Sequence, residues 1–460
     1  LIPNLKGCLV LTKQQHNWGK SQFWTPRTIL SPSSLEELQK AILKAHSSKS
    51  KVRFAGSLHS LNALCATSDI QIQTDKLNRI ISLDKSALRV KVEAGIKIGA
   101  LLAELAKEGL SLPNQGYITE QSIGGAIATA THGSGRTGTL SGAVVEIELI
   151  DSRGNLHSLS PDANNHLFSA AIVNLGCLGA IYSLTLKCIP LKKLHLEKVK
   201  MDLETTLNQL SDLLNRYEYF QFIINPYGNE TIVWKYHKTE EKPRNRFGYK
   251  WHRMLVKILA VCCFDIIPIP WWLMPSMIQL YLIASPLKSS VDVSYKLLSP
   301  ADEGHYIEEE IAVPFERFKE ALEATRKIIN KHGANKNRPV AVILIRFANA
   351  DSYGYLSPAF SRQTAYISLI AIVKEGYKEL FREFETSLYP FEGKPHWGKA
   401  NFLSKERFSL LYRENYNRFL EACKELDPDR MFSNDYIEKL LDPDCYPKLA
   451  LKVCSLVPDA

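Results

Sequence analysis

Apolar positions spaced three and four apart pick out the first helix: Leu35, Leu38, Ile42 and Ala45 share one face, and Ser34 with Glu37 makes a capping box, predicting a helix over 34–45. A strand over 51–54 runs straight into Ala55-Gly56-Ser57-Leu58-His59-Ser60. Alternation predicts short strands over 70–74 and 88–93, and the next helical pattern covers 98–107. A second glycine-rich stretch, from Ser122-Ile123-Gly124-Gly125 through Thr129 to His132-Gly133-Ser134-Gly135, precedes a strand over 144–151. The pair Gly176 and Gly179 then leads into a strand over 180–187.

Beyond Pro190 the texture changes. Helices over 203–217 and 314–332 interleave with strands over 219–225, 340–347 and 364–373, the pattern of helices laid on an antiparallel sheet. The order of elements predicts an α+β chain of two domains, residues 1–190 and 191–400, with a C-terminal segment, 401–460, returning to the first. An apolar insertion near 254–286 has no charged side chain between Ile266 and Leu287, but prolines at 268, 270 and 275 argue against a spanning helix. Lys242, Arg244, Arg246, Lys250, Arg253 and Lys257 precede its tryptophans, which suits a peripheral membrane contact through 242–286; the segment reads equally as a buried hairpin or an oligomer interface.

At 460 residues, 45% hydrophobic and 23% charged, the chain is globular. The net charge of +9 is spread along the sequence, so no nucleic-acid groove is expected. Nine cysteines without CxxC pairs read as free thiols in a reducing compartment, cytoplasmic or at a membrane surface. The first twelve residues alternate too loosely for a secretory leader. No HExxH or His/Asp pairing calls for a metal, and the run Glu308-Glu309-Glu310 reads as a solvated strand or helix end.

Three glycine clusters within one domain suit close backbone approach to a large, phosphate-bearing cofactor. Gly133 to Gly138 spells GxGxxG, but without the strand and long helix that a dinucleotide fold requires. Residues 53–60 and 122–135, with Leu175-Gly176-Cys177-Leu178-Gly179-Ala180-Ile181, together resemble the FAD-binding half (PCMH-type) of the vanillyl-alcohol oxidase superfamily. Pro395-His396-Trp397-Gly398-Lys399, with Leu356-Ser357-Pro358 and Leu426-Asp427-Pro428, is similar to its aldonolactone and alditol oxidase branch, which includes gulonolactone oxidase.

The resemblance implies FAD bonded covalently to His59. It implies Ser57 and Ser60 at the pyrophosphate, and Gly56, Leu58, Ser122, Gly124, Gly125, Thr129, His132, Gly133, Gly176, Gly179, Ile181 and Lys399 around the cofactor. Lys399, Arg346 and Ser122 would be catalytic, in oxidising a hydroxyl-bearing carbon of a sugar-1,4-lactone or polyol with hydride passing to flavin N5. Electrons would go to oxygen, or in a dehydrogenase to a quinone or cytochrome; the rival of a different class is a flavin-free binding protein on the same fold. Two positions depart from the pattern: Leu58 stands where relatives have glycine, and Leu344 where they have the glutamate of an E-x-R pair ending at Arg346.

Overall fold

The computed structural model describes residues 13–244, 289–299, 306–334, 340–371 and 377–441. The apolar insertion at 254–286, nearly all of the proposed membrane contact and the end of the C-terminal segment lie outside these residues. Among the described residues no helix is long and apolar enough to cross a membrane.

The first helix is Leu35–Ser47; the Ser34 hydroxyl accepts the Glu37 N–H at 3.3 Å, and Leu38, Ile42 and Ala45 are buried. That face packs on a small parallel sheet in the order Thr28–Leu30, Ile70–Gln73, Val52–Ala55. Beside it stands a five-stranded antiparallel sheet, Leu156–Leu159, Val144–Ile150, Ala180–Lys187, Arg89–Glu93 and Ile80–Asp84 in spatial order. The helix Ile98–Lys107 buries Ile98, Leu101, Leu102 and Leu105 in the same core as Val90, Val92, Ile147 and Leu184.

From Lys193 onward the strands belong to one eight-stranded sheet, in the order Ser290–Val293, Lys193–Asp202, Glu230–Lys238, Tyr219–Ile224, Val340–Ala348, Thr364–Ala371, Ile307–Pro314 and Lys394–Pro395. One face, with Phe222, Val313, Ile343, Ile345, Ile367 and Leu369, is covered by the helices Phe318–Ala334 and Tyr377–Ser387. The other face meets residues 132–135 of the first region: the Gly135 N–H donates to the Phe347 carbonyl at 2.9 Å, and the His132 ring stacks on Tyr366. The expected single helix over 203–217 is two, Leu203–Asn208 and Leu210–Arg216, and the break turns Leu203 and then Leu210, Leu213 and Leu214 into one core.

The C-terminal helices Lys405–Tyr412 and Glu414–Leu426 return to the first core, where Phe408, Phe419 and Leu420 join Phe168, Leu175 and Leu178. Arg53 locks this closure. Fully buried, it donates to the carbonyls of Leu64 at 2.7 Å, Leu175 at 2.8 Å and Gly176 at 3.0 Å, and also to that of Phe432.

The acidic run corrects the sequence reading: Glu308, Glu309 and Glu310 are buried in the strand Ile307–Pro314. Strand alternation sends Glu309 to the helix-covered face, against Glu385. Neither Glu309 carboxyl oxygen has a hydrogen-bond partner among the described residues, and burial, then the Glu385 charge, raises the Glu309 pKa well above the usual carboxylate range. A carboxyl raised in the folded state contributes fully below its unfolded pKa, about 4.3, and loses that contribution as pH climbs toward the folded value. Glu309→Gln, which keeps a donor toward Glu385 at every pH, therefore raises Tm by about 2–4 °C at neutral pH, with little change in mild acid, in paired thermal melts.

Candidate active site

Two backbone loops are pinned against each other to form the site. Asn62, just past the His59 turn, donates from Nδ2 to the carbonyls of Trp397 at 2.6 Å and Lys399 at 2.9 Å, and the Leu61 N–H donates to the Gly398 carbonyl at 2.9 Å. Trp397, fully buried, donates from Nε1 to the Leu356 carbonyl at 2.7 Å, so the Leu-Ser-Pro segment props the His-Trp-Gly-Lys turn.

Between these loops and the glycine segments runs one long cavity. It is lined by Gly56, Ser57, Leu58, His59, Ser60, Ser122, Gly124, Gly125, Thr129, Gly176, Gly179, Ile181 and Lys399 among the expected residues, and by Trp18, Asn174, Tyr306 and His396, which sequence reasoning had not assigned to it. His132 and Gly133 do not line it. Ala130 turns the chain away with φ of 57°, and His132 lies behind the cavity, its Nδ1 2.8 Å from the Gly133 carbonyl. Arg346 also lies off the cavity and borders a small chamber with Gly133, Tyr219 and Gln221.

The residues present fit FAD. His59 Nδ1 is buried without a partner, as a nitrogen awaiting a bond would be, and burial lowers the His59 pKa to about 4, leaving the imidazole neutral. A Cβ on Gly56 would overlap the Ser122 hydroxyl, so a larger residue in this turn would force Ser122 to move. Leu58 occupies the left-handed region at φ 57°, the conformation that glycine adopts freely, so the turn keeps its shape without the glycine. Trp18 stacks on the His59 ring, centroids 5.5 Å apart.

Behind the cavity the strand Ile307–Pro314 supplies two carboxylates to two cations. Glu308 accepts from Lys399 Nζ. Glu310 accepts from Arg346 Nη2 at 2.5 Å and Ser368 Oγ at 2.7 Å, with its other oxygen 3.2 Å from His132 Nε2. The same strand bonds the His396 turn through its backbone: the His396 N–H donates to the Glu310 carbonyl at 2.8 Å and the Ala400 N–H to that of Glu308 at 3.0 Å. Burial opposes charge on Glu310, but Arg346 and then His132 hold its pKa well below the usual range; burial equally opposes the Arg346 charge, and Glu310 and Glu308 keep that pKa above its usual value.

His396 is driven by burial to a pKa of about 3 and is neutral. Its Nδ1 accepts the Gly398 N–H at 3.0 Å, so Nε2 carries the proton and can donate. His132, Glu310 and His396 offer donor atoms within 4.8 Å of one another, a grouping the sequence did not disclose; Arg346 already occupies the carboxylate that a metal ion would need.

Comparison with known proteins places this arrangement. The model of the D-arabinono-1,4-lactone oxidase family matches residues 184–440, and the FAD binding domain model matches 26–160. The L-gulono-1,4-lactone dehydrogenase of Mycobacterium tuberculosis is 32% identical over 432 residues, 93% of this chain and 99% of that protein. The L-gulonolactone oxidase of Mus musculus is 30% identical over 438 residues, covering 93% and 98%. A cholesterol oxidase from B. sterolicum superposes with a TM-score of 0.82 at 16% identity over 96% of this chain and 99% of that one, which shows a shared fold. The chain belongs to the D-arabinono-1,4-lactone oxidase family of FAD-dependent oxidoreductases.

Proposed function

We propose that this chain carries FAD covalently on His59 and oxidises a hydroxyl-bearing carbon of a sugar-1,4-lactone. The observation that carries the reading is the convergence of Lys399, His396 and Ser122 on the same cavity as His59 with its unpartnered nitrogen. In this reading residues 1–190 hold the cofactor, 191–400 form the cap and 401–460 close the first domain; the stretch 242–286 is the part that would touch a membrane.

Bound FAD supplies the hydride acceptor. The chain supplies placement and charge. Lys399, held in place by Glu308, stabilises negative charge developing at the cofactor or the substrate oxygen. His396 donates from Nε2 to an oxygen in the cavity. Behind His396, whose ring centroid is 5.4 Å from that of His132, the ionised Glu310 fixes the His132 ring at 3.2 Å and gives the site a negative backing rather than a proton store. Arg346 lies off the cavity and acts on it through Glu310, whose charge it holds beside His132 and the His396 turn.

Leu344 modifies the substrate side. It pairs with Ser368, which pairs with Glu310, so the three form one row across three strands and the carboxylate stands two strands from Leu344. Leu344 itself packs with Ile223, Trp234 and Val342, giving that surface an apolar character suited to a lactone with fewer hydroxyls there.

The deciding test is anaerobic mixing with L-gulono-1,4-lactone and D-arabinono-1,4-lactone: bleaching of the flavin's visible absorbance is expected, and the absence of bleaching by any lactone or polyol would sink the reading. Acid precipitation should leave the colour in the wild-type pellet and release it from His59→Ala. Because the imidazole stays neutral until pH approaches about 4, covalent incorporation of FAD into apoprotein should proceed at an unchanged rate from pH about 8 to about 5 and slow below that. Lys399→Met should lower kcat by about 10²–10³-fold with flavin content retained, in steady-state assays paired with absorbance ratios. Gly56→Ala should purify with little flavin, since its methyl group must displace Ser122.

A further inference from the structure

His59 and Trp18 form a wall between two spaces. On one side is the cofactor cavity; on the other is an open cleft of about 950 Å³, which shares Trp18, Gly56, Ser57 and His59 with the cavity and is otherwise lined from outside by exposed residues that include Asp75, Asn78, Ala100 and Glu104. Sites that take drug-sized ligands measure about 300–1,000 Å³, so the cleft is of ligand size. Its position is chemically specific: it reaches His59, the side chain that would carry the cofactor and whose Nδ1 has no partner among the described residues.

We propose that this cleft is the binding site of the electron acceptor and that the acceptor is a neutral, flat quinone lying against Trp18. The inference rests on the flavoenzyme reading above. Trp18 is held in place for this role: its ring stacks on His59 at an interplanar angle of 29° and meets Tyr306 edge-on, centroids 5.1 Å apart. An aromatic wall between cofactor and cleft favours a π-faced ligand over a saturated one. The cleft carries Asp75, Glu104 and Glu120; Lys97 is paired with Glu120 at 2.8 Å and Lys107 with Glu104 at 2.7 Å, which leaves the Asp75 charge over. That surplus of negative charge repels an anionic acceptor and leaves a neutral one unaffected. Electrons balance: the substrate carbinol loses two electrons and two protons to become a carbonyl, and the quinone gains two of each to become the hydroquinone.

The experiment fills the cleft from its exposed far wall with Ala100→Trp and, separately, Asn78→Trp, and uses a short-chain, water-soluble 1,4-benzoquinone as probe. Expected results are covalent flavin and anaerobic bleaching by lactone at wild-type levels in both variants, quinone reduction lowered about tenfold or more, and oxygen consumption unchanged. Independently of turnover, the probe should quench tryptophan fluorescence of the oxidised holoprotein, and this saturable quenching should be lost in Trp18→Phe and weakened about tenfold in Ala100→Trp. Quinone reduction at the wild-type rate in both filled variants, or quenching that is absent in the wild type, overturns the proposal; loss of flavin from both variants also overturns it, by making the cleft part of the cofactor site. Failure of the wild-type flavin to bleach with lactone is a separate result and would refute the flavoenzyme reading instead.

Discussion

Two cations placed in a dry interior need two carboxylates, and the strand Ile307–Pro314 delivers both from one face. Glu308 takes Lys399, Glu310 takes Arg346, and the carbonyls of the same two residues receive the backbone of the His396 turn. Removing either acid would strand a buried or half-buried charge, which costs far more than an intact pair contributes. The strand is thus at once the seventh member of an eight-stranded sheet and the electrostatic floor of the site. Its third glutamate, on the opposite face, serves neither purpose and has Glu385 as its neighbour.

Most of the scaffold could be read from periodicity. The helix Ile98–Lys107 is found where its apolar spacing put it, because Ile98, Leu101, Leu102 and Leu105 have no other way to share a core. The glycine turns were legible because close backbone approach leaves marks in local sequence, whereas Lys399 was found through the resemblance of its His-Trp-Gly-Lys motif; both line the cavity. The carboxylate floor was not legible: three acids in a row look solvated, and only the sheet register shows that alternation sends two to the site and one to the helices. His132 and Gly133 misled in the opposite sense, since they sit in a glycine-rich run but follow the turn at Ala130. Trp18 left no local sign at all, as its partner His59 is forty-one positions away.

Leu58 shows how a departure from a family pattern can be absorbed. The turn needs a left-handed residue, and leucine adopts φ 57° there at some conformational cost, so shape is conserved where residue type is not. Leu344 is different, because a carboxylate cannot be mimicked by backbone geometry. The negative charge near Arg346 comes instead from another strand, which leaves the arginine anchored and the surface beside it apolar.

The four carbonyls gathered by Arg53 have a consequence for how far the cavity's support extends. They come from Leu64, Leu175, Gly176 and Phe432, so one guanidinium ties together segments as much as 379 positions apart. Gly176 borders the cofactor cavity, and Phe432, which lines no part of it, is two hydrogen bonds from that wall. The receptacle is thus braced from outside its own glycine motifs, by a segment whose sequence carries no mark of the task.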